Sequence, residues 1–230
     1  MATSISRACS YGTTLGRKIA QAFWLCMEAQ ASTTTPSISQ PVWRSFGYVA
    51  FACDMYGNGV AGDRQQVMAR IMELRNEPGR LCRRASAGLE VLQSHPRVDG
   101  RVAAVGYCFG GMTVLELARS GAELTGVVSV HGSLQTSSPA QTEIVKAKIL
   151  VCHGALDPHV PMTQVNAFME EMTSAHVDWQ LIVYGEAMHG FTHKDGPAAP
   201  GVAYNALADA RSAKAIRSFL AELFNPPGQG

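Results

Sequence analysis

The segment RVAAVGYCFGGMTVLELARSG spans residues 101–121. Residues 101–107 form a short apolar run, of the length of one strand buried on both faces. Residues 110–121 read as a helix closed by Gly121. Between them stands Gly106-Tyr107-Cys108-Phe109-Gly110, followed by Gly111. A strand that passes into a helix through so few residues needs a sharp, strained turn. Glycines beside that turn let the strand and the helix approach closely. G-x-C-x-G in this setting is the pattern of a nucleophile elbow, which lifts the side chain of residue 108 above the sheet. The same turn puts Cys108 at a helix N-terminus, where backbone dipoles favour negative charge. A dinucleotide-binding turn is excluded, because GYCFGG does not supply G-x-G-x-x-G. A plain glycine-rich turn holding a buried cysteine would carry the same residues, so this motif has to be weighed with the rest of the chain.

Outward from this segment, strands and helices alternate. FGYVAFAC (46–53), LTGVVSVHG (124–132), KAKILVCHG (146–154) and DWQLIVYGE (178–186) read as further strands. Residues 63–95 have a helical pattern in two pieces separated by Pro78-Gly79. Residues 161–177 form an amphipathic helix begun by Pro161, and residues 204–224 a closing helix stopped by Asn225-Pro226-Pro227. Nearly continuous apolar strands joined by helical crossovers predict an α/β fold, with a mainly parallel sheet covered by helices on both faces. In such sheets chemistry sits beyond the carboxyl ends of the strands.

Two further candidates fall at those ends. His153-Gly154-Ala155-Leu156-Asp157-Pro158-His159-Val160-Pro161 follows one strand, and Asp157 is its only carboxylate. Asp157 can fix the tautomer of an imidazole, or it can cap the helix that begins near Pro161. Glu186-Ala187-Met188-His189-Gly190-Phe191-Thr192-His193 follows the next strand, and His189 can take a proton from Cys108 and return it to a leaving group. Nucleophile, acid and histidine each stand after a separate strand, in the chain order of α/β-hydrolases. That concordance selects Cys108, Asp157 and His189 as the catalytic residues. His131 and His153 read as satisfied histidines at strand ends, His95 and His176 as helix-closing residues, and His193 as a surface residue, with contact to substrate as its alternative. Trp24, Trp43 and Trp179 have no spacing that suggests a stacking platform.

GYCFGG, the HGxxDPxVP stretch and MHGF resemble the dienelactone hydrolases (carboxymethylenebutenolidases), and FGYVAFACDMYG resembles a strand and turn of that family. The resemblance runs from about residue 46 to residue 224. It implies the α/β-hydrolase fold and hydrolysis of a small ester or lactone through a thiol and an acyl-enzyme, with no metal and no organic cofactor. Phe109 would supply one oxyanion-hole donor from its backbone N–H. The family also has an earlier strand whose loop supplies the second donor and a glutamate. No counterpart is legible before residue 46, where the one acid is Glu28, so N-terminal strands are expected to be missing. Dienelactone hydrolase proper holds a substrate carboxylate with arginines. Here His193 stands where one is expected and Gly57-Asn58-Gly59 contains none, so that substrate does not carry over. The alternatives are a broader carboxylesterase or thioesterase with the same residues, and a catalytically impaired homologue.

Residues 1–44 read as an atypical leading segment, disordered or foreign to the domain, with a short helix over 16–30 and a polar linker over 31–41; residues 45–225 read as the hydrolase domain. The whole chain has 230 residues, 47% of them hydrophobic, enough for one large core. Nineteen basic residues against eighteen acidic ones give a net charge of +1, which offers nothing to a nucleic acid or an anionic membrane. Arg83-Arg84 is an isolated pair on a predicted helix, expected to be solvated. No apolar run has the length of a membrane span. The six cysteines contain no C-x-x-C pair, so a zinc site is not expected, and with this much core a disulfide framework is not expected either. The expectation is a monomer in the reducing cytoplasm acting on a small molecule, with an acid-poor leader that also fits an organelle transit peptide.

Overall fold

The computed structural model describes residues 21–26 (backbone only), 48–57, 60, 64–196 and 199–224. Six parallel strands form one sheet: β1 (Gln21–Cys26), β2 (Val49–Cys53), β3 (Arg101–Tyr107), β4 (Gly126–Val130), β5 (Lys148–Gly154) and β6 (Trp179–Tyr184), in the order β2-β1-β3-β4-β5-β6. The helices are α1 (Arg64–Asn76), α2 (Pro78–Gln93), α3 (Phe109–Arg119), α4 (Met162–Ser174) and α5 (Ala206–Phe224).

Each parallel pair needs a crossover; residues 131–147 join β4 to β5 without a helix, and the helices of other connections and of the chain end cover both faces of the sheet. One face buries Leu81, Leu89, Val114, Leu117, Phe168 and Met172 against Val102, Val127 and Ile149. The other packs Ile216, Phe219, Leu220 and Leu223 of α5 on Val105, Val128 and Leu150. Strands β3, β4 and β5 lie between neighbours and under both helical layers, so they are buried at nearly every position. Strand β6 lies at the edge and is largely half-exposed. Trp179, partly buried, packs edge-on against Phe168 of the core at 6.3 Å.

The expected helix over 16–30 is corrected: residues 21–26 are a strand, paired to β2 on one side and β3 on the other. Gln, Ala, Leu, Met and Glu in this stretch favour helix locally, and pairing on both edges overrides that preference. The sheet therefore has a strand upstream of residue 45. Its last residue, Cys26, is in register with Gly106, so β1 ends beside the elbow. Glu28, Trp43 and the linker over 31–41 lie outside the described residues. A smaller correction concerns the arginine pair. Arg83 is exposed, but the Arg84 guanidinium lies so close to Gly57 that a Cβ there would stand 2.8 Å from its Nη2. Among the described residues no helix is long and apolar enough to cross a membrane.

Candidate active site

Cys108 joins β3 to α3 with φ 52° and ψ −115°, a conformation that non-glycine residues rarely adopt. Such a backbone costs about 1–3 kcal/mol and persists only where its surroundings enforce it. Here two features enforce it. The Cys108 N–H donates to the Val130 carbonyl at 3.0 Å and to Nδ1 of His131 at 3.2 Å. Gly106 allows the first turn of α3 to rest on β3, since a Cβ there would stand 2.0 Å from the Gly110 oxygen. The thiol is left half-buried at the carboxyl edge of the sheet.

Asp157 and His189 reach the same edge from the ends of β5 and β6. A Cβ on Gly154 would stand 2.5 Å from the Ala187 oxygen, so glycine lets the two loops touch, and the Leu156 N–H donates to Ala187 at 2.9 Å. The base loop is also held from outside, where the Ala203 N–H donates to the His189 carbonyl at 3.1 Å and the Asn205 N–H to that of Phe191 at 3.0 Å.

The three predicted side chains meet. Sγ of Cys108 lies 3.2 Å from Nε2 of His189, and Nδ1 of His189 lies 2.8 Å from Oδ2 of Asp157. The other Asp157 oxygen accepts the N–H groups of His159 at 2.8 Å and Val160 at 3.1 Å, so this fully buried carboxylate both faces the imidazole and turns the chain toward α4. Burial opposes a charge on His189, but hydrogen bonds and Coulombic attraction from Asp157 and Cys108 outweigh it and raise its pKa to about 10. The geometry turns Nδ1 to Asp157 and leaves Nε2 as the nitrogen that faces the sulfur. Phe109, the fourth predicted site residue, opens α3, where helix geometry gives its N–H no intrahelical acceptor.

The histidines around this relay differ from their sequence reading. His193 is half-buried rather than on the surface, with its ring edge-on to His131 at 5.1 Å. His131 is satisfied, but one of its partners is the main chain of Cys108 itself. His153 is buried, and neither ring nitrogen has a protein partner, so it is not the satisfied residue expected at a strand end. Burial holds its pKa below the ordinary value, with the nearby His189 charge acting the same way and Asp157 opposing. His131 escapes a sequence reading because its contact is with a main-chain group 23 positions away. The one sequence signal is a polar residue in the apolar, glycine-bounded run VVSVHG. Among the described residues no group of three or more His, Cys, Asp or Glu is arranged to hold a metal ion.

An uncharacterised protein of Caenorhabditis elegans is 40% identical over 151 residues, covering 64% of this chain and 96% of its own. The solved structure named m3DLH is 36% identical with a TM-score of 0.81, covering 91% of this chain and 89% of that one. A dienelactone hydrolase-like promiscuous phosphotriesterase from metagenomic libraries is 34% identical with a TM-score of 0.80, covering 89% and 86%. The model of the dienelactone hydrolase family matches residues 36–224, most of the chain and all three loops that meet at Cys108. By that match, and by a parallel sheet that carries a strand-to-helix elbow, this chain belongs to the dienelactone hydrolase family.

Proposed function

We propose that the chain hydrolyses a small carboxylic ester or lactone with Cys108 as the nucleophile. The observation that carries this reading is the unbroken relay from Cys108 through His189 to Asp157, at 3.2 and 2.8 Å. As the sulfur attacks the carbonyl carbon, Nε2 of His189, 3.2 Å away, holds the thiol proton. A C–S bond forms and the carbonyl π pair moves onto oxygen, facing the Phe109 N–H. Collapse restores the carbonyl and breaks the bond to the leaving alkoxide, which takes the proton from Nε2. Water then gives a proton to Nε2 as it attacks the thioester. The C–S bond breaks, its electron pair leaves on the sulfur, the Nε2 proton returns to that sulfur, and the acid departs with the thiol–imidazole pair restored. Asp157 keeps the Nδ1 proton in place throughout, so that Nε2 is the face that exchanges protons.

No arginine stands at the positions that hold a carboxylate in dienelactone hydrolase proper, so neutral esters and lactones suit the site better than a dienelactone acid. The test is turnover of p-nitrophenyl acetate, with a dienelactone and a p-nitrophenyl phosphotriester as parallel arms, by the wild type and by Cys108→Ala. The expected result is a burst of p-nitrophenolate equal to the enzyme concentration, lost in Cys108→Ala. Equal turnover by the two folded proteins refutes the thiol nucleophile. The phosphotriester arm asks whether the activity named for the metagenomic relative extends to this chain.

A further inference from the structure

We propose that His131 is a positioning residue that ties the nucleophile turn to the loop carrying His189; the inference rests on Cys108 being the nucleophile. His131 is the first residue beyond β4 and is fully buried, and its φ of 40° lies in the left-handed region. Its own N–H donates to the Cys152 carbonyl at 2.8 Å, which extends the ladder to β5 by one residue and fixes where the ring begins.

The two ring nitrogens face opposite sides of the site. Nδ1 lies 3.2 Å from the Cys108 nitrogen, whose group can only donate, so Nδ1 carries a lone pair. The proton is then on Nε2, which lies 2.9 Å from Oγ1 of Thr192, three residues after His189. One neutral tautomer satisfies both contacts, and the imidazolium would lose the first. The His193 and His189 rings stand 5.1 and 5.4 Å from it, and His153 is the third imidazole whose charge acts on it. Burial, reinforced by charge on these neighbours, holds the His131 pKa well below the ordinary value, in keeping with the neutral form the geometry requires.

The ring also fills the space between the two loops. It stands 5.4 Å from the His189 ring and edge-on to Phe191 at 5.1 Å, with Tyr107 of the elbow at 6.0 Å on another side. The elbow and the base loop are more than eighty positions apart in the chain, and the reacting pair Sγ–Nε2 is one polar link between them. The path Cys108 N–H, His131, Thr192 is a second link that does not use the reacting atoms. It fixes the strained backbone of the nucleophile relative to the base while the sulfur and Nε2 exchange a proton. Such a link acts on the rate of the chemical step rather than on substrate affinity.

The test compares His131→Phe, which keeps a ring and removes both contacts, with His131→Gln, whose amide can accept from Cys108 and donate to Thr192. Thr192→Val removes only the far contact. Each is assayed for kcat and KM on p-nitrophenyl acetate, for the rate of iodoacetamide labelling at Cys108, and for Tm. Misplacement of the reacting pair by a fraction of an ångström predicts a kcat about tenfold lower in His131→Phe and about threefold lower in Thr192→Val, with KM within about twofold. His131→Gln is expected to recover most of the loss. The inference is overturned if kcat in His131→Phe stays within about twofold of wild type, or if Gln is no better than Phe and both track the fall in Tm. Should His131→Phe fail to fold, Thr192→Val decides: an unchanged kcat overturns the link. Failure of the thiol mechanism is distinguishable, since it shows in the wild type against Cys108→Ala before any His131 variant is compared.

Discussion

Replacing Gly106 by alanine tests how the fold produces the site. The new Cβ would stand 2.0 Å from the Gly110 oxygen, 2.2 Å from its carbonyl carbon and 2.6 Å from the Gly111 nitrogen. All three atoms are backbone in the first turn of α3, so no side chain can swing away. Restoring an ordinary contact requires β3 and α3 to separate by about 1 Å or more, and both are buried among core residues that resist it. Overpacking of this kind costs about 3 kcal/mol, which for a domain of this size lowers Tm by about 6–12 °C. The same displacement carries Cys108 away from Nε2 of His189, now 3.2 Å from the sulfur. A misplacement near 1 Å in a reacting pair costs about a hundredfold in rate. The assay is a thermal melt with the p-nitrophenolate burst, and Gly185→Ala is the control, since a Cβ at Gly185 meets nothing within 4 Å. A Gly106→Ala protein with Tm within about 2 °C of wild type and kcat within about threefold would refute the claim that close approach of strand and helix sets the nucleophile.

Other perturbations address the relay, its protons and the core. Asp157→Asn presents an amide to Nδ1 of His189 and favours the wrong tautomer, so kcat should fall by about 10³–10⁴ with the fold retained; a fall below tenfold would argue against an orienting role. The His189 pKa is raised to about 10, so wild-type kcat should hold on the alkaline side and decline as pH rises through about 10, with that limb at lower pH in Asp157→Asn. The linked stability has the same sign: the His189 contribution is complete below about 6.5 and is lost as pH rises through about 10, which urea melts along that range would record. Arg119 is buried with Glu116 and Glu171 at 2.8 Å each and donates to the Leu134 carbonyl at 3.0 Å, so Arg119→Met leaves two carboxylates without their cation. The expected loss is about 3–5 kcal/mol by urea denaturation, partly recovered by adding Glu116→Gln; a loss under about 1 kcal/mol would contradict it. Iodoacetamide should label Cys108 ahead of Cys53 and Cys152, because both of those are buried and burial pushes the Cys152 thiol up to about 12; equal labelling would refute an accessible elbow thiol.

Strand β3 matches its sequence reading residue for residue, because seven apolar residues ended by a glycine-rich turn leave little local choice. Asp157 and His189 were legible for a related reason: each follows an apolar run that can only be a buried strand, and their order along the chain matches a known arrangement. Strand β1 was not legible. QAFWLC has no β-branched residue, and the helix-favouring residues beside it carry the local signal, while the two edges that hold it belong to residues far along the chain. The histidines were misjudged for the same cause. Nothing near His131 in sequence reveals that its Nδ1 accepts from the N–H of Cys108, and nothing near His153 reveals that it is buried without a partner.

The amino-acid sequence by itself determined the class of sheet, the glycine-flanked strand-to-helix turn at Cys108 and the places of Cys108, Asp157 and His189 after three separate strands, because strand periodicity, glycine sterics and loop position are local properties. The tertiary structure alone decided that β1 enters between β2 and β3, that the three loops close to 3.2 and 2.8 Å, and that Nδ1 of His131 accepts from the Cys108 N–H. Those features depend on hydrogen bonds and packing between residues distant in the chain, and such contacts exist only once the sheet has assembled.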